Sequence, residues 1–276
     1  MFISSAELAT EVPNSIVIIQ GYAFQKLIQL FESVTDLRRI GFMGFCVGLV
    51  ELVQYGLTIA IIGIKGVGIV LLGSGLRIGE CTGLVWRDCD FKRNTISVHR
   101  TLIYRKWEDG MCYYRVMPVP KTVKGIRKIP MFKEVREALL AEQKHQEEVG
   151  TANTIIDGVG NWVFTNRYGT VLSPKSVNNA IERIIRDYNR MEEVLAKEQG
   201  RVPQLLPHIT NHQLRHSFCT RLMEESCKPG SNIPLKLIQD IMGHADFSTT
   251  MDIYTDVSEK FKQDTMQAIQ GSIYLG

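Results

Sequence analysis

Hydrophobic and polar residues follow two patterns along the chain, and the pattern changes after the stretch Gly41–Gly73. In that stretch the only charged residues are Glu51 and Lys65. Beyond it, apolar positions recur with the periods of ordinary helices and strands. We therefore expect an atypical apolar N-terminal segment over residues 1–70 and a mixed domain over residues 71–276.

The apolar stretch has two explanations. Between Leu57 and Leu72 only Lys65 is charged, and a run of this length could cross a bilayer. A lysine near the middle of a membrane span is costly, so we favour a helix pair that glycines loosen and that is buried in a core. The alternative is a membrane-anchored protein.

The pattern beyond the apolar stretch predicts an α+β fold that is mainly helical with a small antiparallel sheet. Alternating segments rich in β-branched and aromatic residues predict strands at Thr95–Arg105, Cys112–Pro118 and Gly125–Pro130. Helices are predicted from Ile78 to a turn near Gly83, over Glu134–Val149, from Ser173 towards Lys197, over His212–Glu225, over Pro234–Met242 and from Thr249. Ser173 is expected to cap its helix, since serine followed by proline is typical of a helix start.

The composition excludes several classes of protein. Of the 276 residues, 45% are hydrophobic and 22% are charged, which excludes a largely disordered chain, a collagen-like chain and a bare disulfide scaffold. The net charge is +3, and residues 1–75 hold four basic and five acidic side chains, so the positive excess lies beyond them. This balance permits nucleic-acid binding without requiring it.

The cysteines and the N-terminus indicate a cellular compartment. The six cysteines form no C-x-x-C pair and no short spacing with histidine, so we expect small, buried, reduced thiols. The N-terminus lacks the basic region and cleavage site of a signal peptide. The expected location is therefore the cytoplasm.

Five segments carry polar side chains that local structure does not explain. They contain Arg77 in GLRIGE, Lys121 in VPKT, His212 and Arg215 in HQLRH, His244 in MGHA, and Tyr254 in TTMDIYT. Taken singly, each has an ordinary explanation, such as a solvated arginine, a packed tyrosine or a Gly-His pair that ends a helix.

Taken together and in this order, the segments resemble the catalytic domain of the tyrosine recombinase (phage integrase) family. They are similar above all to integrases of conjugative transposons and related mobile elements. The likeness extends from Leu71 to Val257 through GSGLRIGE, GLVWRDCDF, VPKTVKGIRKIPM, HQLRHSFCTRL and IMGHADFSTTMDIYTDVS. It implies a site-specific recombinase that cuts and rejoins DNA through a 3′-phosphotyrosine intermediate, with no metal and no cofactor.

The resemblance implies roles for four residues around the phosphate. Arg77 and Arg215 would supply two forked guanidiniums that stabilise the charge on the transferring phosphoryl group. His212 precedes Arg215 by three residues on the predicted helix, so both are expected to reach one phosphate. The resemblance implies that His212 hydrogen-bonds a non-bridging oxygen and gives acid–base help to Tyr254. His244 would donate to the phosphate beside the nucleophile.

The resemblance also assigns the nucleophile and the general acid. Tyr254 would attack the phosphorus, and Lys121 would protonate the leaving 5′-oxygen. Lys124 is a weaker candidate for the general acid, because it lies beyond the P-K-T core. Tyr274 lacks the preceding G-H and T-T context, so we do not expect it to react.

Other polar residues in these segments are expected to support the structure. Glu80 lies one helical turn after Arg77 and should orient buried polar groups. His216 and Asp88 should pack or support their neighbours.

The expected partner is double-stranded DNA at attachment sites, bound by a homo-oligomer that forms a synaptic tetramer, with an accessory excision or bending protein.

The N-terminal segment is not basic and does not follow the pattern of the family's preceding DNA-binding domain, so we expect it to be truncated or altered. A catalytically inactive DNA-binding remnant is therefore the alternative. The sequence shows no carboxylate cluster for a two-metal nuclease, and type IB topoisomerases, which share the chemistry, are less similar.

Overall fold

The computed structural model describes residues 66–118, 126–150, 154–166, 168–226, 228, 230–244, 246 and 248. The helices in these ranges are α1 over residues 66–74, α2 Ile78–Thr82, α3 Lys133–Val149, α4 Pro174–Glu198, α5 Asn211–Ser226 and α6 Leu235–Met242, with a 3-10 turn at Trp86–Asp88. The strands are β1 Cys89–Asp90, β2 Thr95–Val98, β3 Arg100–Lys106, β4 Cys112–Pro118 and β5 Arg127–Pro130. The mainly helical α+β fold is thus confirmed, and so are the five predicted helices up to Met242.

The strands form two antiparallel sheets where the sequence predicted one. The first has the order β1-β2-β5, and the second is the hairpin β3-β4. The predicted strand Thr95–Arg105 is wrong in one respect, because the chain leaves the first sheet at His99. His99 Nε2 lies 3.0 Å from Asp88 Oδ1, and Arg100 also binds this carboxylate. These two contacts hold His99 and Arg100 against Asp88, between the two strands. As a result β2 pairs with β5, whereas β3 pairs with β4.

The main core lies between the helices and the first sheet. Val67, Val70 and Leu71 of α1 are fully buried and belong to one cluster with Leu139 of α3 and Ile181 of α4. The described end of the apolar stretch is therefore part of the domain core, while residues 41–65 lie outside the described ranges. Among the residues that the structure describes, no helix is long and apolar enough to span a bilayer. The domain boundary at residue 70 stays a prediction.

Local signals fix the helix ends. Ser173 caps α4, as predicted, because its Oγ accepts a hydrogen bond of 2.9 Å from the Ser176 N–H. Helix α6 ends at Gly243, whose φ of 65° lies in the left-handed region, and the Gly243 N–H donates to the Gln239 and Asp240 carbonyls. This tight ending brings residue 244 back against the end of the helix.

The cysteine prediction is correct in part. Cys81, Cys89 and Cys219 are free and buried, and burial raises the pKa of the Cys219 thiol to about 11. Cys112 is also free but exposed, which contradicts the expectation of buried thiols. It lies at the open end of the β3-β4 hairpin, opposite Lys106, where the strands extend beyond the core.

Candidate active site

Helix α5 places Arg215 inside the protein. Neighbouring Leu214 and Cys219 are buried on the helix face that packs inward, and only 3% of Arg215 is exposed. Its guanidinium donates to the carbonyl oxygens of Gly75 and Met242. Burial, followed by the nearby charge of Arg77, lowers the pKa of Arg215 to about 9, so it remains a cation at neutral pH.

Arg77 lies at the N-terminus of α2, where it is more open. Its Nη1 donates to Glu80 Oε1 over 2.9 Å, its backbone N–H donates to Glu80 Oε2 over 2.9 Å, and its Nη2 donates to the Gly243 carbonyl over 3.0 Å. The side chain is 42% exposed, against 1% for Glu80. Arg77 is therefore held in place on one side and open to solvent on the other.

Glu80 orients two arginines, which confirms its predicted supporting position. Arg127 binds it in a bidentate pair, with Nη1 3.1 Å from Oε1 and Nη2 2.8 Å from Oε2. Burial alone would raise the pKa of Glu80, but hydrogen bonds and charges from Arg127 and Arg77 hold it below its ordinary value. The carboxylate therefore stays ionised between the two guanidiniums.

Arg127 is a site residue that the sequence interpretation missed. It lies on β5 and is nearly fully buried, and its Nε donates to the Ile241 carbonyl over 2.8 Å. The available signal was its position, because Arg127 and Ile129 alternate with exposed residues on β5 and so share the inward face. An arginine at such a position requires a buried partner.

Three arginines therefore meet at the C-terminal end of α6. Arg127, Arg215 and Arg77 donate to the carbonyls of three consecutive residues, Ile241, Met242 and Gly243. The last carbonyls of a helix lack helical partners and carry the negative end of its dipole, so cations stabilise them. Since three guanidiniums face one carboxylate, Glu80, this described cluster, which we call the arginine cluster, keeps two positive charges.

His244 follows directly after this helix end. It is buried, and its backbone N–H and carbonyl both bind Gln239. Burial lowers the pKa of His244 to about 4, and the positive charges of Arg215 and Arg77 contribute to this shift. The imidazole is therefore neutral at physiological pH and can donate one N–H without adding charge.

His212 lies on the exposed side of α5. Its Nε2 lies 2.7 Å from Nε2 of His216, and the two rings meet edge to face with centroids 4.3 Å apart. His216 thus contacts a predicted site residue, in keeping with its expected supporting position, and its charge also contributes to lowering the pKa of His244.

The structure brings together Arg77, Arg215 and His244, while His212 lies on the exposed side of α5 in contact with His216. Lys121, Lys124, Tyr254 and Tyr274 lie outside the described residues, so their positions and roles stay predictions. Asp88 accepts hydrogen bonds from Val85 and Arg100, as expected of a packing residue. In the described part of the chain, no group of three histidine, cysteine or acidic side chains could hold a metal ion.

Comparisons with known proteins match the part of the chain that contains these residues. The sequence model described as "Phage integrase family" matches residues 62–260. The transposase of transposon Tn916 from Enterococcus faecalis is 33% identical over 189 residues, which are 67% of this chain and 40% of the transposase. A tyrosine recombinase XerC-like protein from Caldanaerobacter subterraneus is 27% identical over 219 residues, which are 75% of this chain and 49% of that protein.

A solved structure resembles the fold as well. The integrase of transposon Tn1549, in complex with transposon right end DNA, superposes with a TM-score of 0.60 and 27% identity, covering 86% of this chain and 70% of that one. The chain spans about two fifths to one half of the length of the curated relatives named above.

Proposed function

Because the chain belongs to the phage integrase family, we propose that it is a site-specific recombinase that cuts and rejoins double-stranded DNA through a 3′-phosphotyrosine intermediate. The observation that supports this most strongly is the arginine cluster at the end of α6. It provides a fixed excess of positive charge next to the buried, neutral His244. Such a site stabilises the charge that accumulates on a phosphoryl group during transfer.

The proposed reaction begins when the Tyr254 phenolic oxygen attacks the scissile phosphorus and passes its proton to His212, which returns it when Tyr254 is released. A bond forms between this oxygen and phosphorus, and the bond from phosphorus to the 5′-oxygen breaks. Lys121 donates the proton that the leaving 5′-oxygen takes up. The 5′-hydroxyl of a partner strand then gives its proton to Lys121, attacks the phosphotyrosine and releases Tyr254, so the number of phosphodiester bonds is unchanged and no energy source is needed.

The described residues have separate tasks in this proposal. Arg77, which is partly open to solvent, contacts the non-bridging oxygens directly and adds a positive charge beside the phosphate. Arg215 is tied to two backbone carbonyls and contributes a buried charge while holding the α1–α2 turn against α6. His244 donates a hydrogen bond to the phosphate from its neutral imidazole, and His212 donates a hydrogen bond to a non-bridging oxygen.

The proposed partners follow from this reaction. The substrate is double-stranded DNA at attachment sites, and strand exchange requires a homo-oligomer, for which we propose a synaptic tetramer. An accessory protein that bends DNA or directs excision would act on the same complex. We place the reaction in the cytoplasm, together with the DNA.

A covalent-trapping assay tests the proposal. The protein is incubated with a duplex that carries a candidate attachment site and a nick next to the scissile phosphate, so that a short 5′-hydroxyl fragment diffuses away after cleavage. We expect a covalent adduct on denaturing gels with the wild-type protein, unchanged by a chelator, and no adduct with Arg77→Gln. DNA binding without any wild-type adduct would instead identify the chain as an inactive DNA-binding remnant.

A matched control variant isolates the phosphate contact. Arg87 is an exposed arginine within the 3-10 turn Trp86–Asp88, and it takes no part in the hydrogen bonds that form the arginine cluster. Arg87→Gln removes the same charge and should trap DNA like the wild-type protein. Equal losses in Arg77→Gln and Arg87→Gln would mean that net charge, and not the position of Arg77, governs the reaction.

A further inference from the structure

The β3-β4 hairpin presents an outer face that the proposed catalytic site does not use. Its register pairs Ile103 with Arg115 and Arg105 with Tyr113, which places these side chains on one side of the hairpin. The other side packs into the domain, where Leu102, Tyr114 and Val116 join the cluster of Val85, Trp162 and Val171. The hairpin is thus anchored through one face, and its outer face is directed away from that cluster.

Arginines and aromatic rings are stacked on this outer face. The guanidinium carbon of Arg105 lies 4.2 Å from the Trp107 ring centroid, and that of Arg115 lies 4.9 Å from the same ring. Trp107 and Tyr113 are stacked with centroids 5.8 Å apart. Arg115 Nη2 donates to the Tyr113 hydroxyl over 3.0 Å, and Trp107 Nε1 donates to the Tyr113 carbonyl over 3.0 Å. We call these four residues the outer hairpin patch.

The patch carries positive charge that the described residues do not neutralise. Arg105 and Arg115 are exposed, and no carboxylate in the described ranges forms an ion pair with either of them. A guanidinium that lies over an aromatic ring is held in position while its remaining N–H groups stay available for an anion. The geometry therefore suits a row of phosphate groups better than an apolar protein surface, because two exposed guanidiniums without an ion-pair partner among the described carboxylates lie side by side on it.

The hairpin is connected to the candidate active site at its other end. A Cβ added at Gly79 would lie 2.4 Å from Thr101 Oγ1, so β3 rests directly on the helix that begins after Arg77. From Thr101 to Arg105, four residues of strand extend about 13 Å. About four base pairs occupy that length along a duplex. The patch thus lies within reach of the DNA that would enter the active site.

We propose that the outer hairpin patch is a second DNA contact, which binds the sugar-phosphate backbone of the cleaved duplex about four base pairs from the scissile phosphate. The proposal rests on the proposed function. It assigns the patch to affinity and to the position of the duplex, whereas the bond-breaking groups lie in the arginine cluster and its neighbours.

A salt titration of DNA affinity tests this contact. The double variant Arg105→Gln/Arg115→Gln removes two exposed charges that are not part of the core. The control Lys133→Gln/Lys144→Gln removes two exposed charges on α3, whose lysines face Glu137 and Glu148. Fluorescence anisotropy with a labelled attachment-site duplex gives Kd over a range of KCl concentrations, and circular dichroism confirms that both variants are folded.

The proposal predicts a defined change in that titration. The slope of log affinity against log salt concentration should become shallower by about two in the hairpin variant, since two phosphate contacts are lost. The affinity at low salt should fall at least about tenfold, and the control should keep the wild-type slope. A duplex cut to end about two base pairs from the scissile phosphate should bind the wild-type and hairpin variants equally.

Each other outcome has a definite meaning. A wild-type slope in the hairpin variant, or an equal loss in the control, would overturn the hairpin contact while wild-type trapping still supports the recombinase. Loss of binding to a polyglutamate peptide, with the DNA slope unchanged, would assign the patch to an acidic protein partner and also overturn the proposal. A wild-type protein that neither binds nor traps DNA would overturn the proposed function itself.

Discussion

Arg127 and Glu80, 47 positions apart in the sequence, form a bidentate ion pair that is almost completely buried. Glu80 also binds the side chain and the backbone of Arg77, while Arg127 binds the carbonyl of Ile241. The strand that follows the predicted Lys121 turn is thereby joined to the start of α2 and to the end of α6. We infer that this pair holds the described site residues in register.

Substitutions of Arg127 and Glu80 should change the stability of the protein and its trapping activity to different extents. Arg127→Leu leaves Glu80 charged and buried, so unfolding should become easier by about 3–5 kcal/mol. The double variant Glu80→Leu/Arg127→Leu removes both charges and should recover most of that stability, but it leaves Arg77 without its carboxylate. Thermal unfolding and covalent trapping measured on both variants check this.

Recovered stability together with wild-type trapping would mean that the pair has no positioning role. Arg127→Lys serves as the conservative comparison. It keeps the charge but loses the bidentate geometry, so we expect it to trap DNA more slowly than the wild-type protein and faster than Arg127→Leu.

Gly243 should be essential for the shape of the site. It has a φ of 65°, and a Cβ there would lie 2.8 Å from Arg127 Nη1. Gly243→Ala should therefore displace the guanidinium and His244, lowering stability by more than the roughly 1 kcal/mol that a left-handed backbone costs alanine. Gly200 is the matched control, since its φ of 62° is similar but nothing lies within 4 Å. Only Gly243→Ala should lose trapping activity.

The helices and their ends were predictable because their signals are local. Ser173 followed by Pro174 is a local signal for the start of α4, and Gly243 after an apolar helical repeat is a local signal for the end of α6. The break at His99 was not predictable, because Ile96, Val98, Arg100 and Leu102 continue one alternating pattern through it. The break depends on Asp88, which lies on the preceding turn and becomes visible as a partner only in three dimensions.

In the candidate site, too, some features have a signal in the sequence and others depend on contacts between distant residues. Motif order placed Arg77, Arg215 and His244 in one site, and the structure brings them together at the end of α6. The backbone carbonyls that bind the arginines have no sequence signature, since every residue has a carbonyl. Arg127 was missed because its partner Glu80 lies 47 positions away, beyond the range of periodicity.

His244 should make stability depend on acidity. Its pKa is about 4 in the folded protein and about 6.5 when unfolded, so between these values only the unfolded chain binds the proton. Stability from this group is therefore fully present above about pH 6.5 and is lost as the pH falls towards 4. The difference in unfolding free energy between wild-type and His244→Asn proteins should change by about 3 kcal/mol over that interval. A difference that is constant with pH would contradict the burial of a neutral imidazole.

Glu142 should make stability depend on pH in the opposite direction from His244. It is buried on α3, its Oε2 has no hydrogen-bond partner among the described residues, and burial raises its pKa to about 7. The folded protein retains the proton between the ordinary value of 4.5 and about 7, so stability falls as the pH rises through this range. Glu142→Gln should therefore stabilise the protein by up to about 3 kcal/mol at pH 8 and by little at pH 4.

The control for Glu142 lies on the same helix. Glu147 is exposed on α3, so Glu147→Gln should change the melting temperature only slightly at either pH. Stabilisation by Glu147→Gln equal to that of Glu142→Gln would show that net charge, and not burial, is responsible.

The central claim is that Tyr254 forms the covalent bond to DNA, and identifying the modified residue tests it most directly. The trapped adduct would be digested with nuclease and protease, and the peptide that carries the remaining nucleotide would be sequenced by tandem mass spectrometry. We predict a nucleotide joined through its 3′-phosphate to Tyr254, and no adduct in Tyr254→Phe, whereas Tyr274→Phe should give the wild-type adduct. A nucleotide on any other residue, a 5′-phosphate linkage, or an adduct that persists in Tyr254→Phe would contradict the account.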